Sequence, residues 1–149
     1  MTQPAPERIF HIATVADWRR TLESGTYTTS TVGRTLEEEG FIHASRRDQV
    51  QGVFDRYYRS AGEDLLLLTV DPARLTDAEV RLEAVGADTY PHVYGPINRN
   101  AVVAAVPLNR RGGTETLMSL WLKGMAVRMG IAIAVMVAVA IVVALVRGG

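Results

Sequence analysis

The chain has 149 residues, with 16 basic and 16 acidic side chains and no cysteine. That length suits one domain around a single core. The missing cysteines exclude disulfides, thiolate nucleophiles and cysteine-held zinc or iron–sulfur centres. The zero net charge is unevenly spread: residues 1–109 carry 11 basic and 15 acidic groups, net −4, and residues 110–149 carry 5 and 1, net +4, so nucleic acid is not indicated as a partner of the acidic part.

The opening MTQPAPER is polar and contains no apolar stretch of the kind a secretory signal needs. RIFHIA, Arg8–Ala13, alternates as a strand does. Thr14 then caps a helix over Val15–Glu23, with Asp17 three residues after the cap and Gly25 as the stop. TYTTSTVGRTLEEEG is polar and glycine-punctuated, and it is predicted as a long loop with one helical turn at Thr35–Glu39. GFIHAS is a short strand ending at Ser45, the predicted cap of a second helix. On that helix Val50, Val53, Phe54, Tyr57 and Tyr58 form a core-facing stripe. LLLLTV, Leu65–Val70, reads as a central strand buried on both faces, and Val80–Val85 and Ala101–Val106 supply two more.

Met129–Val146 is 18 residues without a charge. As a helix it rises roughly 27 Å, against a hydrocarbon core of ~30 Å. Arg110, Arg111, Lys123 and Arg128 precede it and only Arg147 follows, which by the positive-inside rule keeps the N-terminal part in the cytoplasm. The predicted organisation is an α+β domain over 1–109, a basic hinge over 110–120 and a single transmembrane helix over 121–147. The lipid bilayer is the partner expected of Met129–Val146, and a single-pass membrane protein is the expected localisation.

The candidate site rests on the three histidines of the chain, His11, His43 and His92. His11 and His43 each lie on a strand two residues before a predicted helix cap, close to amide donors that attract anions. A buried histidine satisfied by a main-chain carbonyl gives the same pattern. YPHVYGPIN concentrates His92, Tyr94 and Asn98 among prolines and a glycine, as a rigid binding loop or as a structured turn. Glu83, inside the apolar strand VRLEAV, is a candidate for charge stabilisation or general-base work, or else an edge-strand charge. No metal ligand set is predicted, because the histidines have no HxH or HExxH spacing.

FHIA, EEGFIHAS, LLLLTVDPARL and YPHVYGPINRNAVVAAVPL together resemble a bacterial family of unknown function, number 952 in the domain-of-unknown-function series, over about residues 8–108. That family is similar to a minimal ADP-ribosyltransferase fold. The resemblance implies a small split antiparallel sheet with two packed helices and NAD as the ligand. It also implies His11 as the first-strand histidine on a cofactor ribose, and His43 as the counterpart of a histidine of RNA 2′-phosphotransferases. Glu83 would be the late acidic residue that stabilises the nicotinamide ribose. No complete arginine-serine-glutamate or histidine-tyrosine-glutamate set accompanies them. The function expected is an NAD-using transferase with His11, His43 and Glu83 as catalytic residues and Ser45, His92, Tyr94 and Asn98 on the ligand. A non-catalytic nucleotide or metabolite sensor is the alternative.

Overall fold

The structure, a computed structural model, describes residues 6–109, 113, 129, 131, 133–139 and 141. RIFHIA forms β1 (Ile9–Thr14), buried along its whole length. Strand alternation sends Ile9 and Ala13 into one apolar cluster and Phe10 and Ile12 into a second. Thr14 ends the strand and caps α1 (Val15–Ser24), its hydroxyl oxygen accepting from the Asp17 amide at 3.0 Å. Gly25, at φ 85°, closes the helix in the left-handed region that only glycine enters freely.

The stretch predicted as a loop is more ordered than its polarity suggested. It forms β2 (Thr26–Tyr27), β3 (Thr29–Thr31) and β4 (Arg34–Thr35), then the single turn α2 (Leu36–Glu39). Strands of two or three residues are too short to show periodicity. Their threonines and Tyr27 nevertheless suit extended backbone, and Tyr27 and Ser30 are fully buried.

β5 (Ile42–His43) follows. Ser45 does not cap the next helix as expected. Its backbone pairs with Phe10 instead, donating to the Phe10 carbonyl at 2.8 Å and accepting from the Phe10 amide at 2.9 Å. The start of the helical run falls to Arg46, whose amide donates to the Gln49 side chain at 2.9 Å. The run then widens in radius: a 3₁₀ turn at Arg47–Gln49, α3 (Val50–Val53) and a π-helical turn at Phe54–Tyr58.

β6 (Leu65–Val70) lies between β1 and β10 (Val102–Leu108), antiparallel to both. Pro107 is tolerated in β10 because that strand is at the edge. β7 (Glu79–Val85) and β8 (Asp88–Tyr94) form a hairpin flanked on its other side by β5, and β9 (Ile97–Asn98) pairs with β2. Most of YPHVYGPIN is therefore strand instead of loop.

The described residues give a mixed α/β arrangement with four small sheets, β1-β6-β10, β5-β8-β7, β2-β9 and β3-β4. This corrects the expected α+β class of one small split antiparallel sheet with two packed helices and a transmembrane helix. The reason is local: hydrogen-bonded pairing between the two three-stranded sheets reduces to the single Phe10–Ser45 bridge.

The chain divides into two units, Met1–Thr114 and Glu115–Gly149. The transmembrane helix expected over 121–147 is overturned, because no helix of the described residues is long and apolar enough to cross a membrane. The single-pass membrane localisation with a cytoplasmic N-terminal domain falls with that helix. Residues 110–112 and 114–120 of the predicted hinge, and most of 121–147, lie outside the described residues.

Two substitutions test these supports. Gly95 sits at φ 129°, and a Cβ there would meet the Asp77 carbonyl oxygen and lie 2.9 Å from the Ala78 Cα. Gly95→Ala should therefore lower the urea-unfolding free energy by roughly 3 kcal/mol; an unchanged midpoint would show that the turn relaxes freely. Asp88 binds the helical run to the β7–β8 hairpin, accepting from Arg46 Nη2 at 3.0 Å and Gln49 Nε2 at 2.8 Å. The bonds from Gln49, Arg46 and the Thr89 amide hold its carboxyl down at about 2. A depressed carboxyl adds stability above its unfolded value of about 4 and loses it as pH falls towards 2. Asp88→Asn should melt below wild type at pH 7, and the two melting curves should converge near pH 2.

Candidate functional site

The three histidines line one cavity of about 340 Å³. Strand alternation explains how they reach it. Phe41 and His43 occupy one face at β5, and Tyr90, His92 and Tyr94 occupy one face of β8. The register sets His43 directly opposite His92, so their rings meet edge to face with centroids 5.4 Å apart. Phe41 stacks on His92 at 4.2 Å and contacts His43 at 4.7 Å. β1 adds Phe10, His11 and Ile12 to the lining, and the widened helical run adds Gly52, Val53 and Arg56 to Tyr58.

The histidines differ in chemistry because their surroundings differ. His11 is buried, and both of its ring nitrogens are engaged: Nδ1–H donates to the His43 carbonyl oxygen at 2.5 Å, and Nε2 accepts from the Tyr27 hydroxyl at 2.8 Å. Desolvation dominates its titration, lowering the pKa to about 4, so the ring is neutral near pH 7. Burial likewise pushes the Tyr27 hydroxyl up, keeping it a donor. His43 is half-exposed. Partial burial lowers its pKa, opposed by Glu39, whose Oε2 lies 3.4 Å from Nε2.

His92 is only 6% exposed. Its Nδ1–H donates to Glu83 Oε2 at 2.5 Å, and the Tyr94 hydroxyl donates to both Glu83 oxygens at 2.9 Å. The hydrogen bonds from His92 and then Tyr94 hold the Glu83 carboxyl below its ordinary value. With Nδ1–H committed to the carboxylate, the neutral ring carries its lone pair on Nε2. That atom has no hydrogen-bond partner among the described residues, and no fully buried side-chain nitrogen or oxygen among them lacks one. Nε2 therefore reaches open space, and His92 is a wall of the cavity.

The four predicted site residues besides the histidines do not all line the cavity. Ser45 lines the cavity, held by its backbone pairing with Phe10. Glu83 and Tyr94 stand behind His92 and are not among the lining residues. Asn98 is outside the cavity as well: its Nδ2 donates to the Arg74 carbonyl at 3.0 Å and its Oδ1 accepts from the Thr76 amide at 3.1 Å, so it braces a turn. Sequence reasoning missed Phe41, Tyr90, Arg56 and Tyr57. For Phe41 and Tyr90 a signal existed, since each lies two residues before a histidine, Tyr90 within β8 and Phe41 just ahead of β5. Among the described residues no group of three histidine or acidic side chains is placed to hold a metal ion.

A family model described as "Protein of unknown function (DUF952)" matches residues 12–105. No curated protein matches the chain. The crystal structure of protein CC0527 from Caulobacter crescentus is similar, at 27% identity and a TM-score of 0.60, covering 72% of this chain and 93% of that one. The solution NMR structure of CC0527 is similar at 27% identity and a TM-score of 0.55, covering 75% and 94%. The family match takes in every lining residue of the cavity except Phe10 and His11.

The buried His11 makes a pH prediction. Its folded pKa, about 4, is below the unfolded 6.5, so the stability it carries is complete above pH 6.5 and is lost as pH falls towards 4. The shift corresponds to about 3 kcal/mol. Urea unfolding of the wild type and of His11→Gln, which has no proton to gain, should differ most at pH 7 and converge by pH 4. A gap independent of pH would show that His11 is not neutral in the fold.

Proposed function

The chain belongs to the DUF952 family of proteins of unknown function, and on that premise we propose that its histidine-lined cavity binds a nucleotide and that His92, oriented by Glu83, moves a proton during group transfer. The observation that carries this reading is the Tyr94–Glu83–His92 chain, which ends in an imidazole nitrogen open to the cavity. A carboxylate behind an imidazole fixes its tautomer and supports the cation formed when it takes a proton. Glu83 is thus a positioning residue. This changes the role expected of it, since its carboxylate is occupied by His92 and Tyr94 and not directed at a ribose.

NAD is the ligand suggested by the resemblance to the ADP-ribosyltransferase fold. The cavity is at the lower end of the range for small-molecule sites, suited to the mononucleotide-sized part of a dinucleotide. Its aromatic walls, Phe41 and Tyr90, offer faces for a planar base. NAD would supply an electrophilic ribose carbon, whose bond to nicotinamide breaks, releasing nicotinamide, as the acceptor bonds to that carbon. His92 Nε2 takes the proton of that acceptor, Glu83 balances the resulting imidazolium, and His43 lies on the same wall as a second hydrogen-bonding group. His11 has no nitrogen to give to a ligand, so its contribution is to hold the wall.

Proton NMR of the full chain incubated with NAD should show release of nicotinamide. His92→Ala should reduce the rate by about 10²–10⁴-fold. Glu83→Gln should reduce kcat with little change in KM and should alter the pH–rate profile, which a merely structural residue would not do. Saturable shifts without turnover would make the cavity a sensor site; no shifts with NAD at all would remove NAD from the reading.

A further inference from the structure

We infer that the ligand is anionic and that Arg56, with Tyr57 beside it, holds its phosphate group at the mouth of the cavity; this rests on the reading of the cavity as a nucleotide site. The part of the chain that forms the cavity is net acidic, yet no aspartate or glutamate among the described residues lines the cavity. The two acids nearest in the bonding pattern, Glu39 and Glu83, are each turned to a histidine. The walls are thus neutral or cationic, in a domain whose average would make them acidic.

Partnering of the arginines gives an independent sign. Seven arginines of the described residues pair with a carboxylate. Arg56 pairs with none among the described residues, although Asp55 precedes it, because Asp55 pairs with Arg59 at 2.5 Å. Its guanidinium lies 5.9 Å from the centroid of the Tyr57 ring, and both residues line the cavity. Arg47, also without a carboxylate partner among the described residues, lies 6.0 Å from the ring of Phe10, another wall residue. No lysine precedes Lys123, so arginine supplies the permanent positive charge here.

Tyr57 is 61% exposed, an aromatic ring on the solvent side of a cavity that Phe10, Phe41 and Tyr90 also line. Phe54 and Tyr58, on the same turn, are buried in the core. The π-helical pitch of Phe54–Tyr58 offsets consecutive side chains from ordinary helical spacing, a geometry frequent at functional sites. A guanidinium fork suits phosphate oxygens, and a tyrosine face suits the ring of a sugar or base.

Isothermal titration calorimetry of the full chain with ADP-ribose, adenosine and inorganic pyrophosphate tests this. ADP-ribose should bind more tightly than adenosine, and salt should weaken it. Arg56→Gln should weaken ADP-ribose about tenfold or more and abolish any pyrophosphate binding, while leaving adenosine affinity and the melting temperature unchanged. Equal losses for ADP-ribose and adenosine, an ADP-ribose affinity indifferent to Arg56→Gln, or no binding of any of the three would overturn the inference. Arg56-dependent ADP-ribose binding in a protein that releases no nicotinamide from NAD would leave it standing and remove the transfer chemistry alone.

Discussion

The imidazole of His11 is the joint on which the two three-stranded sheets depend. β1 and β5 share no ladder beyond the Phe10–Ser45 bridge. Beyond the apolar cluster they share, their next hydrogen bond is made by a side chain, His11 Nδ1–H to the His43 carbonyl oxygen, with Tyr27 closing the other nitrogen. In this buried position an unmet donor or acceptor costs about 1–3 kcal/mol, so the three groups hold each other in place. The cavity lies beside this joint, with both His11 and His43 among its lining residues.

That arrangement divides three identical side chains into three roles. His11 has no free nitrogen and stays neutral. His43 is fixed at its carbonyl by His11 and at its ring by Glu39. His92 is fixed from behind by Glu83 and from the side by Phe41. Environment and not identity sets the chemistry of each. His43 too has a carboxylate beside its ring, but that ring is half-exposed, whereas His92 is buried, stacked on Phe41 and bonded to Glu83 at 2.5 Å.

The sequence disclosed what local physics controls. The Thr14 cap, the α2 turn capped by Thr35 and the apolar centre of Leu65–Val70 each depend on a few adjacent residues, and each is present. That the histidines share a cavity was a wager on distant pairing, and the register of β5 on β8 is what settles it. Ser45 was misjudged because a serine before a helix looks like a cap, and only tertiary structure supplies Phe10 as its backbone partner. Tyr57 was assigned to the core by counting 3.6 residues per turn, a period that fails once the helix widens at Phe54. Hydropathy over Met129–Val146 suggested a membrane span that no helix of the described residues is long enough to make.

The site and the stability of the fold are therefore one problem. The bond that closes the gap between sheets ends on the main chain of the residue whose ring faces His92. Moving β5 relative to β1 would move His43 with it, and through the β5–β8 pairing it would also shift Phe41 on the His92 ring. Such a site needs no separate scaffold, because the packing that excludes water from His11 also fixes the cavity walls. It follows that substitutions at His11 act on the cavity walls through the main chain of His43, whereas those at Glu83 act on the orientation of a ring that the fold already holds.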